Sequence, residues 1–65
     1  MRQFIVTVID KEEEEWVFEG WIKQKPIFTK KKDGGIPKHL SMVEAQYVVE
    51  SNQIDGESYM IEGVS

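Results

Sequence analysis

The chain has 65 residues, enough for one domain, with a net charge of −4, no Cys and one His. That composition excludes disulfides, thiolate zinc sites and an imidazole-rich metal centre, and no segment approaches the ~20 apolar residues of a membrane span. The charge is sorted by position: residues 1–22 carry six acids against Arg2 and Lys11, residues 23–38 carry six lysines against Asp33, and residues 39–65 carry five acids with no Lys or Arg.

A chain this short buries only about 60% of its unfolded surface, so its core is marginal and self-association is one available staple. The apolar run of residues 4–9 is shorter than the apolar region of a signal peptide, and acidic residues follow it. With no Cys to suggest an oxidising compartment, the expectation is a cytoplasmic protein with no membrane partner. A pI near 4.8 argues against general affinity for nucleic acid and is compatible with a basic protein partner.

Residues 2–9 read as a strand, β-branched and aromatic, with Phe4, Val6 and Val8 on one face and Ile5, Thr7 and Ile9 on the other. A strand apolar on both faces is central in its sheet or covered on both sides. Residues 10–14 form a charged turn, and residues 16–25 read as the second strand of an antiparallel hairpin. Trp16, Phe18, Gly20 and Ile22 share one face of it; Val17, Glu19, Trp21 and Lys23 share the other. The two tryptophans therefore point to opposite faces. One helix covers only one face, so the other Trp lies exposed or at an interface, unless a β-bulge at Gly20 resets the alternation.

Pro26 interrupts the ladder, and residues 27–31 could form a short third strand at an edge. Asp33-Gly34-Gly35 is a turn, and residues 30–39 read as an exposed, mobile loop. Ser41 and Glu44 have the spacing of a capping box and open a helix. Its apolar stripe is Leu40, Val43, Tyr47 and Val48, widened by Met42, Ala45 and Val49. Asn52 is a left-handed stop, Asp55-Gly56 turns the chain, and residues 58–62 form a last strand with Tyr59 and Ile61 inward. The order β-β-(β)-α-β predicts a single α+β domain over residues 1–65: a small, mostly antiparallel sheet with one helix packed on one face. A split, barrel-like sheet capped by the helix is the alternative.

An opening hairpin, Pro26-Ile27-Phe28-Thr29, Lys38-His39-Leu40-Ser41, Glu44-Ala45 and a closing strand together resemble very short proteins encoded by bacteriophages of Gram-positive bacteria. The basic, Gly- and Pro-rich segment 30–37 departs from that group. The resemblance implies a phage origin, action in the host cytoplasm, the fold above and no catalytic residues. Some short acidic phage proteins act by occupying the DNA-binding surfaces of host proteins.

The acidic turn is the first candidate site. In extended chain, alternate residues lie ~6.6–6.8 Å apart on one side, similar to the step between phosphates, so Glu12, Glu13, Glu14 and Glu15 could imitate a nucleic-acid backbone. With Glu19, Trp21, Glu44, Glu50, Asp55 and Glu57 they form the expected protein-binding set, Trp21 serving as aromatic anchor. The competing reading of the turn is a solvated hairpin tip that suppresses aggregation. The second candidate is basic: Lys30, Lys31, Lys32 and Lys38, with Lys23 and Lys25, could meet phosphate, although P-loop spacing is absent. The same lysines could instead pair with the acidic turn of a second copy in a homodimer, or form a solvated loop. His39 and the carboxylate pairs lack the spacing of a catalytic constellation.

The expectation is therefore a protein without enzymatic activity, metal or cofactor. It binds and inhibits or modulates a host protein, basic and DNA-binding, by DNA mimicry. The alternatives are a nucleic-acid-binding module and a structural, homodimeric phage protein.

Overall fold

The computed structural model describes residues 2–51 and 58–64; the expected stop at Asn52, the turn at Asp55-Gly56, and the candidate residues Asp55 and Glu57 lie outside them. The described chain forms one antiparallel four-stranded sheet with one helix on one face, the α+β arrangement expected. The strands are β1 (Gln3–Ile9), β2 (Glu15–Ile22), β3 (Lys25–Lys30) and β4 (Ser58–Val64), in spatial order β3-β2-β1-β4, and the helix is α1 (Met42–Ser51).

β1 is central, as its two apolar faces require, with Val6, Thr7 and Val8 all buried. β2 and β3 are joined by Lys23 and Gln24, both at positive φ (50° and 68°). Two such residues make the tight turn whose twist matches an antiparallel hairpin. Neither is Gly, Asn or Asp, so the sequence carries no signal for it, and the expected second strand ran on to residue 25. Pro26 does not interrupt the ladder: it lies within β3, opposite Trp21. β3 is an edge strand, where a missing N–H can be tolerated.

The alternation of β2 breaks where Phe18 pairs Phe28 but Gly20 pairs Ile27. Glu19 is the extra residue of a β-bulge, and Gly20 takes φ 155°. The insertion returns Trp21 to the face of Phe18, and their rings meet edge to face at 5.1 Å. The expected separation of Trp16 and Trp21 onto opposite faces is overturned by this one residue.

The core under α1 is Val6, Phe18, Leu40, Ala45 and Val48, with Phe4, Trp21, Phe28, Val49, Tyr59 and Ile61 packed around it. Tyr59 and Ile61 face inward as expected. The helix stripe is corrected in part. Leu40, Ala45 and Val48 are buried, whereas Val43 and Tyr47 are 76% and 62% exposed. The capping box forms as predicted: the Glu44 amide donates to Ser41 Oγ, and the Ser41 amide donates to Glu44 Oε1, both at 3.2 Å.

Residues 30–39 are not a free loop. After β3 the chain makes a 3-10 turn, Lys31–Asp33, closed by Gly34 at φ 89°. It then lies on the sheet face away from α1. A Cβ on Gly35 would stand 2.8 Å from Val17 Cγ2 and 2.9 Å from the Thr29 carbonyl oxygen. β1 and β2 pair through Thr7–Val17, Val8–Trp16 and Ile9–Glu15, and the next segment enters the fork beyond them. The Lys38 amide donates to the Phe18 carbonyl at 2.9 Å, and Leu40 exchanges two backbone bonds with Phe4 at 2.7 and 2.8 Å. The chain thus passes between two strands from one face to the other and delivers Leu40 into the core. Backbone groups that the fork would otherwise leave unpaired are satisfied by the crossing segment.

Candidate functional site

The acidic tip is organised from within. Asp10 Oδ1 accepts from the amides of Glu12 (2.8 Å) and Glu14 (2.9 Å), and its Oδ2 accepts from Trp16 Nε1 at 2.8 Å. An aspartate that binds the backbone two and four residues on builds the turn itself. The Trp16 indole N–H, followed by the Glu14 amide, holds the Asp10 carboxyl below its ordinary value.

The basic segment then closes over the tip. Lys32 Nζ lies 2.7 Å from Glu14 Oε1, and Lys31 Nζ lies 3.8 Å from Glu15 Oε2. Glu14 raises the Lys32 ammonium above its usual range. Lys30 Nζ stands 5.4 Å from the centre of the Trp16 ring, within reach of a cation–π contact. Glu19 is committed as well: its carboxylate accepts from the Ile36 amide at 2.9 Å and from Thr29 Oγ1. Those two bonds, the Ile36 amide first, lower its pKa.

The ten expected protein-binding residues therefore separate. Glu14, Glu15 and Glu19 are tied to the fold; Glu12 and Glu13 are exposed at the tip with no ion pair among the described residues. Glu44 is exposed but works in the capping box, and Glu50 is exposed on the helix. Trp21 is half-buried on the core face, with its ring 5.5 Å from that of Tyr47. Of the expected phosphate-binding residues, Lys31 and Lys32 are paired, Lys30 covers Trp16, and Lys38 is exposed. His39 Nδ1 lies 2.9 Å from Gln3 Oε1.

The surface that sequence reasoning missed is the outer side of α1. Val43 and Tyr47 sit one turn apart, the Tyr47 ring rests on Trp21, and Glu50 flanks them. Beside Tyr47 is an open hollow lined by Gln24, Lys25, Pro26, Tyr47, Glu50 and Ser51. The signal was present in composition. The helix MVEAQYVVES is apolar at six of its ten positions, more than one buried stripe accommodates.

Among the described residues, no group of three or more His, Cys, Asp or Glu is placed to hold a metal ion, and no helix is long and apolar enough to cross a membrane. What this arrangement offers chemically is an apolar, aromatic-backed helix surface with carboxylates at its margin. No family model, no curated protein and no solved structure matches this chain.

Proposed function

We propose that the chain is a non-catalytic binding module that grips a protein partner through the outer side of α1. Val43 and Tyr47 are the anchors, and Glu44 and Glu50 meet basic residues around them. The observation that carries this reading is the exposure of Val43 and Tyr47, 76% and 62%, on a helix of only ten residues. Covering apolar surface is favourable by ~25 cal/mol per Å². Trp21 backs the Tyr47 ring, so less side-chain freedom is lost on binding. An aromatic centre with a charged margin is the usual energetic layout of a protein interface.

Residues 40–51 carry Glu44 and Glu50 and no Lys or Arg, so the complementary partner is basic there. The resemblance to short phage proteins extends the proposal to a host protein. DNA mimicry is its less supported form, because lysines hold Glu14 and Glu15 and the Ile36 amide holds Glu19.

Photo-crosslinking from position 43 in the producing cell identifies the partner, and binding isotherms with that purified partner test the surface. Tyr47→Ser should weaken binding at least about tenfold, an effect of ~1.4 kcal/mol. Glu50→Lys should weaken it further as salt is lowered, reversing the wild-type trend. Unchanged affinity in Val43→Ser and Tyr47→Ser, with loss in Glu12→Gln/Glu13→Gln, would move the site to the hairpin tip and favour mimicry.

A further inference from the structure

The hollow beside Tyr47 lies at the C-terminal end of α1. Its helix wall is Tyr47, Glu50 and Ser51; its other wall is Gln24, Lys25 and Pro26, from the β2–β3 turn and the start of β3. Glu50 and Ser51 follow Tyr47 by three and four residues, so the three side chains share one side of the helix. The space between the walls is about 410 Å³ and opens to solvent.

Four features of the helix wall select for positive charge. The last turn of α1 holds Glu50 and no basic residue, so no cation of the helix itself offsets the negative end of its dipole. Glu50 is exposed and has no ion pair among the described residues. Ser51 Oγ donates its proton to the Val48 carbonyl, which leaves it lone pairs for a donor and no proton for an anion. The Tyr47 ring is 62% exposed and backed by Trp21 at 5.5 Å, and the face of an aromatic ring attracts cations. Lys25 is the opposing charge. It is exposed, so its ammonium can stay in water while its stem lines the wall.

We propose that this hollow receives an arginine side chain of the protein partner, its guanidinium stacked on Tyr47 and hydrogen-bonded to Glu50. The proposal rests on the α1 reading above and names the group that fills its margin. Arginine suits the site better than lysine. A planar guanidinium can stack on a ring and donate to a carboxylate at once, whereas an ammonium is a strongly hydrated point charge.

Titration of the isotope-labelled full chain with N-acetyl-arginine amide, followed through backbone amide NMR signals, tests the hollow without the partner. Shifts at Tyr47, Glu50 and Ser51 should saturate with a Kd of about 1–30 mM, the scale of one small contact. N-acetyl-citrulline amide, of the same shape without the charge, should not saturate, and N-acetyl-lysine amide should bind about twofold more weakly or worse. Glu50→Gln should weaken arginine binding and Lys25→Gln should tighten it, each by roughly 1.5- to 5-fold. Tyr47→Ser should weaken it about 2- to 5-fold. The amide spectra of the variants verify folding. An anion site would reverse the signs of Glu50→Gln and Lys25→Gln, and reversed signs overturn the proposal. So do equal binding of the citrulline probe and the absence of saturable shifts at the three helix residues. If those shifts are absent but Tyr47→Ser still weakens the complex with the purified partner, the arginine proposal falls and the α1 reading stands. If partner affinity is unchanged in Tyr47→Ser, the α1 reading falls and takes this proposal with it.

Discussion

The hairpin tip and the outer side of α1 treat their most conspicuous side chains in opposite ways. At the tip, Asp10, Glu14 and Glu15 meet Trp16, Lys32 and Lys31, so three of the charges that stand out in the sequence are engaged within the chain. On α1, ordinary-looking Val43 and Tyr47 are left in solvent. Density of charge along a chain is therefore a poor guide to charge available for a partner. Eighteen residues separate Glu14 from Lys32, and only folding brings them together.

The largest expected effect comes from the residue that joins the crossing segment to the core under α1. Leu40 belongs to the crossing segment and to the core under α1. Leu40→Ala should cost about 2–5 kcal/mol in urea unfolding, most of the stability expected of so small a domain. Gly35→Ala comes next, at about 1–3 kcal/mol, because its new methyl meets Val17 and the Thr29 carbonyl. It should lift the segment off the sheet, which would appear as faster hydrogen exchange at the Ile36 and Lys38 amides.

Acidity probes the tip and the Glu19 contact with the crossing segment. Asp10 and Glu19 have lowered pKa values in the fold, so the unfolded chain binds their protons more tightly. Their contribution is complete above the unfolded values, ~3.9 for Asp and ~4.3 for Glu, and is lost as pH falls through the folded ones. Lys32 has the opposite sign: its pKa is raised, so its contribution is present below ~10.4 and lost as pH rises through the folded value. The melting temperature should drop on the acid side, less steeply in Asp10→Asn than in wild type.

Val43→Ser is the smallest expected perturbation of stability, within about 0.5 kcal/mol, since the side chain is 76% exposed. A larger loss in a denaturant titration would mean that Val43 packs against something, and the contrast with the tip would fail.

Short-range features were legible in the sequence because their causes are local. Alternation in residues 3–9, the Ser41–Glu44 capping spacing and the inward Tyr59 and Ile61 each depend on neighbours within a few positions, and each is found in the fold. The single helix on an antiparallel sheet follows from those patterns. Three features were decided only by tertiary contact. The Glu19 bulge puts Trp21 on the same face as Phe18, because the β2–β3 ladder absorbs one extra residue. Residues 34–40 dock and cross the fork because Val17, Phe18 and Phe4 receive them there. The side of α1 that is buried is set by where Leu40 enters the core, so Ala45 and Val48 are covered while Val43 and Tyr47 stay outside. Periodicity specifies which residues share a face, but the partner that covers each face comes from distant parts of the chain.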